Sequence, residues 1–197
     1  MELVFIRHGE GEHTGNIPES LHLPDPSLTP SGKQQAKILQ EQLPLHAEDI
    51  MIISPTRRTL ETACIWSENY NCRRIVSPLV APRIFPYRPN ARTLPCDRLL
   101  TIKQIKHDFP IIEMDETFPG DTIWRDGINT ISEESFKRKA RTFLTYCQNI
   151  TRKQIYIVSH DGTITAYRQM ISGELLTRED FPKETQVISI SLENATE

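Results

Sequence analysis

The amino-acid sequence predicts an α/β fold, specifically a three-layer α/β/α sandwich around a mostly parallel central sheet. Short apolar runs alternate with longer stretches of helical periodicity along most of the 197 residues, which is the pattern of a parallel sheet with crossover helices. The apolar runs are hydrophobic almost without interruption, as expected of strands that are covered on both faces. The length suits one domain of ordinary size, so we expect residues 1–197 to form a single domain.

The predicted strands are rich in β-branched and aromatic residues. The clearest are LVFIRHG at 3–9, DIMIISP at 49–55 and QIYIVSHDG at 154–162. Residues 73–78 and 185–192 are weaker candidates. Two of the clear runs end in a histidine followed by or close to a glycine, so the chain repeats one strand-to-histidine unit.

Four predicted helices follow or separate these strands. They cover residues 31–43, 56–69, 132–150 and 162–173. Apolar residues recur in them at three- and four-residue spacing, and residues suited to helix caps stand at several of their ends.

Residues 78–130 differ from the rest because they contain many prolines and only one good helical stretch, near 97–108. We interpret this segment as an insertion or lid over the edge of the sheet rather than as a separate domain.

Composition and charge exclude several classes of protein. The net charge is −3 and the calculated pI is near 6.1, which gives no sign of a nucleic-acid surface or of a basic membrane patch. No apolar run approaches the about 20 residues that span a bilayer, and the N-terminus lacks the features of a signal peptide. We therefore expect a cytoplasmic protein, and the sequence contains no signal for its oligomeric state.

Three predicted strands end in polar, reactive residues. Arg7, His8 and Gly9 end the first, residues 54–58 follow the second, and residues 159–162 end another. Ligands of open α/β sheets bind beyond the carboxyl ends of the strands, so the fold should bring these groups together.

Two histidines and several arginines in one pocket favour phosphate chemistry. Arginines repel cations, and no cluster of carboxylates completes a metal-ligand set, so we expect a metal-independent reaction without a cofactor. Guanidinium groups bind phosphoryl oxygens, and a neutral imidazole can attack phosphorus. Arg7, Arg58 and His160 would supply positive charge around a phosphoryl group attacked by His8.

Five segments resemble, in order, the successive signatures of the histidine phosphatase superfamily, the phosphoglycerate mutase-like family. They are RHG at 7–9, LTPSGKQQA at 28–36, SPTRRTLETA at 54–63, EESFKRKARTFL at 133–144 and VSHDG at 158–162. The resemblance implies a phosphoglycerate mutase-like fold in which His8 is phosphorylated. It further implies that Arg7 and Arg58 hold the phosphoryl group and that His160 completes the charge pocket.

The chain departs from the family pattern at the general acid. Relatives usually carry a glutamate after the third strand, whereas the matching stretch here, SPLVAPRIFPYRPN, contains no acidic residue. Asp161 is the natural substitute, because the acid phosphatase branch uses a His-Asp pair in this way. Glu10 and Glu12 are the competing candidates.

Contacts from the first loop also depart from the family. Many relatives have an asparagine six residues after the nucleophile, whereas this chain has Thr14 there and Asn16 two residues later. We expect Gly9, Thr14 and Asn16 to contribute to substrate binding, with Gly9 allowing close approach of the backbone.

The remaining histidines and the arginines of the proline-rich segment have less definite roles. His13, His22, His46 and His107 show no partner pattern and are predicted to lie on the surface. The arginines at 83, 88 and 92 either form a solvated loop or bind a second anionic group of the substrate.

The leading hypothesis is a phosphatase that hydrolyses a small phosphorylated metabolite through a phosphohistidine intermediate on His8. One alternative is a phosphoglycerate mutase-type isomerase, which returns the phosphoryl group to the same metabolite. Another is a catalytically weak phosphate-binding protein.

Overall fold

One six-stranded sheet organises the fold. The computed structural model describes residues 1–117, 120–151 and 153–192. The strands are β1 (Glu2–Arg7), β2 (Ile50–Ile53), β3 (Arg73–Val76), β4 (Glu113–Met114), β5 (Gln154–Ser159) and β6 (Val187–Ser191), in the order β4-β3-β2-β5-β1-β6. All neighbouring strands are parallel except β6, which pairs antiparallel with β1. The predicted α/β fold with a mostly parallel sheet is confirmed.

Within the described residues, six helices surround the sheet. They are α1 (Pro30–Gln42), α2 (Arg57–Trp66), α3 (Ile102–Asp108), α4 (Asp121–Asp126), α5 (Glu133–Ile150) and α6 (Asp161–Ser172). Short 3-10 turns cover Glu12–Thr14, Glu19–His22, Pro78–Val80, Pro95–Asp97 and Arg178–Asp180. The four helices predicted from periodicity are present, with ends that differ from prediction by no more than a few residues.

The two faces of the sheet bury separate hydrophobic cores because successive side chains of a strand point to opposite faces. One core joins the β1 residues Leu3 and Phe5 to α5 and α6, through residues such as Phe143. The other joins Val4 and Ile6 to helices α1, α2 and α3. Helices on both faces of one sheet make the three layers that the sequence predicts.

The register between β1 and β5 positions the two histidine-bearing ends. Arg7 is the partner of Ser159 in the parallel ladder, so the next residues, His8 and His160, lie side by side. The backbone N–H of His8 extends the ladder by donating to the Ser159 carbonyl at 3.0 Å. The sheet itself therefore brings together two residues that are far apart in the sequence.

The segment 78–130 contributes more regular structure than its sequence indicates. Strand β4 has only two residues and α4 only six, lengths at which periodicity gives no signal. The helix predicted near 97–108 begins later, at Ile102, because Thr101 and Gln104 form a capping box there. Residues 118 and 119 of this segment, and 152 and 193–197 elsewhere, lie outside the described residues. The lid role of 78–130 stays a prediction.

None of the described helices combines the length and the apolar character needed to cross a membrane.

Candidate active site

The carboxyl ends of β1, β2 and β5 meet in one pocket, as expected for a parallel sheet. His8 and His160 have ring centroids 5.1 Å apart, with the rings inclined at 63°. Ser54, which follows β2, lies 2.8 Å from His160 through its hydroxyl oxygen. All three residues are buried. The convergence predicted from the three strand ends is present in the structure.

The hydrogen bonds of His8 determine which of its ring nitrogens is free. Nδ1 lies 2.7 Å from the Gly9 carbonyl oxygen, which can only accept, so Nδ1 carries the proton. Nε2 is then the nitrogen with the free electron pair, and it accepts from Arg58 Nε at 3.2 Å. Burial, and next the charge of Arg58, hold the pKa of His8 well below its usual range. A neutral imidazole with an available Nε2 is the form that can act as a nucleophile.

Arg58 is the central cation of the pocket, and it is only 1% exposed. Its Nη1 donates to the Cys96 carbonyl at 2.6 Å, and its Nη2 donates to Asp97 Oδ1 at 2.9 Å and to His160 Nδ1 at 3.1 Å. The bond to His8 uses its remaining nitrogen, Nε. Arg58 therefore connects both histidines to the turn at Pro95–Asp97.

His160 is held in a fixed orientation and in its neutral form. Because Arg58 donates to Nδ1, the ring proton lies on Nε2 and is donated to Ser54. Burial and the charge of Arg58 hold the pKa of His160 well below its usual range. The expectation that His160 adds a positive charge is therefore wrong for this arrangement, in which the positive charge comes from the arginines.

The prediction that His13 lies on the surface is wrong. Its ring centroid is 5.5 Å from that of His8, and burial together with the charges of Arg58 and Arg7 lowers its pKa to about 3. A short turn, Glu12–Thr14, carries this ring into the pocket. The other three, at 22, 46 and 107, are exposed as predicted.

Arg7 and Asp161 form an ion pair at the pocket edge. Arg7 Nη2 lies 3.3 Å from Asp161 Oδ2 and 3.1 Å from Glu184 Oε1, and Nη1 donates to the Pro182 carbonyl at 2.9 Å. Asp161 Oδ1 accepts from the backbone N–H of Gly162 at 2.6 Å, at the start of α6. Asp161 thus orients Arg7 and caps its own helix.

Two polar atoms beside His8 lack partners. Arg7 Nε and His13 Nδ1 are buried and have no hydrogen-bond partner among the residues that the structure describes. Buried polar groups are almost always hydrogen-bonded, because leaving one unsatisfied costs about 1–3 kcal/mol. Two such groups around a reactive imidazole indicate a position for a polar ligand.

Thr14 and Asn16 are not oriented toward His8 by their hydrogen bonds. The Thr14 hydroxyl donates to the Gly11 carbonyl at 2.8 Å and closes its own turn. Asn16 is exposed, and its carbonyl accepts from the Ser20 backbone. It is His13, rather than these two residues, that the first loop brings close to His8.

Gly9 is required for a close contact between two backbones. A Cβ at Gly9 would lie 2.6 Å from the Gly32 carbonyl oxygen at the start of α1. Its N–H donates to the Thr62 hydroxyl at 3.1 Å. The tight approach predicted at this glycine therefore involves helix α1 rather than a ligand.

The alternative acids Glu10 and Glu12 bind the first loop to the segment before α1. Glu10 Oε1 accepts from the Thr29 hydroxyl at 2.6 Å, and Glu12 Oε2 accepts from the Ser27 backbone at 2.9 Å. These bonds give both carboxylates a role in holding the loop.

Arg83 is buried, so the interpretation of it as part of a solvated loop is wrong. Its guanidinium donates to the carbonyls of Ile128 and Ile131 at 3.0 and 3.1 Å, and to Glu133. It also lies over the ring of Phe136, with the guanidinium carbon 4.2 Å from the centroid. These contacts hold its guanidinium within the fold, and a contact with a second anionic group of the substrate stays a prediction.

Arg88 and Arg92 are exposed and line a cavity of about 350 Å³ beside the pocket. Asp97, Asp161 and Arg178 also line this cavity. It is the space next to the histidines in which the remainder of a substrate can lie.

Asp97 is the acidic residue that sequence reasoning missed. It reaches the pocket through the 3-10 turn Pro95–Asp97, and burial raises its pKa despite the neighbouring Arg58. It lies two residues after a proline in an irregular segment, so neither spacing nor periodicity points to it. His13 was missed for the same reason, since a loop residue has no periodic pattern.

The described residues contain no group of three or more His, Cys, Asp or Glu side chains arranged to hold a metal ion.

Comparison with known proteins agrees with this geometry. Residues 3–80 match the histidine phosphatase superfamily (branch 1). A probable phosphatase of Schizosaccharomyces pombe is 22% identical, over 87% of this chain and 79% of that protein. Phosphoserine phosphatase 1 of Hydrogenobacter thermophilus is 35% identical, but over only 36% of this chain and 33% of that protein.

The fold is shared with solved structures over nearly the whole chain. A mutant phosphoserine phosphatase of Entamoeba histolytica, in complex with phosphoserine, superposes with a TM-score of 0.61 at 21% identity. The match covers 98% of this chain and 91% of that one. The five ordered motifs and the match over residues 3–80 make the N-terminal part of this chain similar to the histidine phosphatase superfamily, and the solved structures share its fold.

Proposed function

We propose that this protein is a metal-independent phosphatase that hydrolyses a small phosphorylated metabolite through a phosphohistidine on His8. The observation that carries the proposal is the pair of unpartnered buried atoms, Arg7 Nε and His13 Nδ1, in the pocket that holds the unprotonated Nε2 of His8. A phosphoryl group presents three oxygens around the phosphorus atom. Such a group would satisfy both atoms while placing its phosphorus in front of His8.

In the first step, His8 Nε2 attacks phosphorus and the ester oxygen leaves on the opposite side. Arg58 already contacts Nε2, so a bound phosphoryl oxygen would lie within reach of its guanidinium. Arg7 supplies the second cation from β1. His160, neutral and oriented by Ser54, accepts from Arg58 through Nδ1 and so orients that guanidinium rather than adding charge. Water then hydrolyses the phosphohistidine and restores His8.

The departing alcohol needs a proton, and Asp161 is the donor that the sequence favours. Its carboxylate lies at the pocket edge and is 34% exposed, within reach of the adjacent cavity. Its Oδ2 lies 3.3 Å from Arg7 Nη2, and its Oδ1 accepts from the Gly162 N–H at 2.6 Å. These bonds suit a residue that orients Arg7.

The adjoining cavity favours a substrate with a second anionic group. Arg88 and Arg92 are exposed there, and neither forms an ion pair with a carboxylate among the described residues. The similar Entamoeba phosphatase is in complex with phosphoserine, which carries a carboxylate near its phosphate ester. A phosphorylated carboxylic acid would engage the histidine pocket and the two arginines at once.

The experiment that tests this function is the substitution His8→Ala, assayed with a generic phosphomonoester in the presence of EDTA. We expect the wild type to turn over with EDTA present and His8→Ala to lose turnover. Exposed His46 provides the matched control, since His46→Ala should leave the rate unchanged.

A brief reaction with ³²P-labelled substrate should label wild-type protein in an acid-labile, base-stable form, as expected of phosphohistidine. Added small alcohols would reveal whether water or a second hydroxyl receives the phosphoryl group. Retained turnover in His8→Ala, or label that persists in that variant, would contradict the mechanism.

A further inference from the structure

The missing general acid is the gap in the proposed mechanism. The stretch after β3 that usually carries it has no acidic residue, and the chain continues through it to the 3-10 turn Pro95–Asp97. This turn delivers two acceptors to Arg58: the Cys96 carbonyl at 2.6 Å from Nη1 and Asp97 Oδ1 at 2.9 Å from Nη2. The same Nη2 lies 3.1 Å from His160 Nδ1. Asp97 is thus separated from both histidine rings by a single guanidinium group.

The position of Asp97 relative to the cavity is what a proton donor requires. Its carboxyl group lines the cavity that holds Arg88 and Arg92, while its Oδ1 contacts the cation beside His8. The bridging oxygen of a phosphate ester lies between the phosphorus and the rest of the substrate. With the phosphoryl group at His8 and the remainder in the cavity, that oxygen falls at the boundary where Asp97 stands.

The surroundings of Asp97 also favour its protonated form. Burial raises the pKa of Asp97, and the nearby carboxylate of Asp161 acts in the same direction. Arg58 and the Asn129 side chain oppose this shift, but burial is the larger influence. Asp161 contacts Arg7 and the Gly162 N–H, which suits a residue that orients the Arg7 guanidinium.

We propose that Asp97 is the general acid that protonates the leaving alcohol, and that Asp161 serves to orient Arg7. The inference rests on the proposed function. As the His8 Nε2–phosphorus bond forms, the phosphorus–oxygen ester bond breaks, and its electron pair passes to the oxygen, which takes the proton of Asp97. In the second step the Asp97 carboxylate takes a proton from the attacking water. The phosphorus–nitrogen bond then breaks, and neutral His8 and protonated Asp97 are restored.

The test compares two substrates that differ in their need for a proton. An alkyl phosphate releases a basic alkoxide, whereas p-nitrophenyl phosphate releases a stable phenolate that needs little assistance. Asp97→Asn should lower kcat/KM for the alkyl phosphate by about 10²- to 10⁴-fold and for the aryl phosphate much less. The kcat of the wild type on the alkyl ester should fall at high pH as the acid ionises. The pH–rate profile of Asp97→Asn should not show this fall.

Three variants complete the design. Asp126→Asn, at an exposed position on α4, should leave both rates unchanged. Asp161→Asn should affect the two substrates equally, as expected of a positioning residue, and Asp97→Glu should partly restore the alkyl ester rate. Calorimetry of inorganic phosphate binding to Asp97→Asn tests whether the pocket is intact. The affinity should not decrease, because the substitution removes a negative charge from a site that binds an anion.

Two outcomes would overturn the assignment of Asp97. Equal losses on both substrates would mean that it acts only through Arg58. A leaving-group-dependent loss in Asp161→Asn, with Asp97→Asn unaffected, would make Asp161 the acid. Either result leaves the phosphohistidine mechanism standing, because that mechanism is tested separately by the turnover and the labelling of His8→Ala.

Discussion

Arg83 and Arg88 stand five residues apart in one proline-rich segment, yet the structure gives them opposite environments. Arg83 is 4% exposed and Arg88 is exposed. We therefore predict that Arg83→Met destabilises the protein strongly and that Arg88→Met does not. Methionine preserves the unbranched aliphatic part of each side chain, so the comparison isolates the guanidinium group.

The magnitude follows from the contacts of Arg83. Its removal leaves two buried carbonyls without their donor, those of Ile128 and Ile131, at about 1–3 kcal/mol each. The contact with the Phe136 ring adds about 1 kcal/mol. Burying methionine in place of a cation relieves part of this cost. The free energy of unfolding should fall by about 3 kcal/mol, which corresponds to a Tm lower by about 6–12 °C for a chain of this length.

Urea unfolding followed by circular dichroism measures this difference, with Arg88→Met as the matched control. The control should stay within about 0.5 kcal/mol of the wild type. A loss below about 1 kcal/mol in Arg83→Met, or equal losses in both variants, would show that the buried contacts of Arg83 do not support the segment 78–130.

Two further predictions concern the substrate and the histidine pocket. Replacing Arg88 and Arg92 together by alanine should raise KM for a phosphorylated carboxylic acid about 10-fold or more while leaving KM for p-nitrophenyl phosphate unchanged. Equal effects on both substrates would contradict the proposal that these arginines bind a second anionic group. The pKa of His13 is lowered to about 3 in the folded protein, whereas in the unfolded chain it is about 6.5. Between these two values the unfolded state binds more protons than the folded state, so the free energy of unfolding falls as the pH decreases through that range. His13→Asn should reduce this slope by up to about 1.4 kcal/mol per pH unit relative to a His46→Asn control, measured by urea unfolding at about pH 7, 6 and 5; an unchanged slope would contradict the buried, neutral state of His13.

The sequence was most informative for strands whose hydrophobic composition reflects their burial in the centre of the sheet. Strands β1, β2 and β5 are buried on both faces, so their composition revealed them, and the residues at their ends could be placed together before the structure was known. The antiparallel direction of β6 could not be predicted, because composition does not determine strand direction.

The parts that sequence reasoning missed depend on how irregular segments cross the pocket. His13 enters it because the first loop folds into a 3-10 turn, and Asp97 enters it through another such turn. Arg83 appeared to belong to a solvated loop, yet its backbone carbonyl lies so close to Gly162 that a Cβ there would approach it to 2.2 Å. Such contacts arise from tertiary packing and are not accompanied by a periodic pattern of residues in the sequence.

The pairing of Arg7 with Ser159 has a consequence for how this enzyme can change. The spacing of the two histidine rings is fixed by adjacent hydrogen-bonded strands, whose separation of about 4.8 Å is the same in every sheet. The spacing of the rings does not depend on the length of the chain between the two strands. Segments such as 78–130 can therefore differ in length and sequence without altering the spacing of the rings, so substrate preference and the position of the acid can diverge while the two histidines stay together.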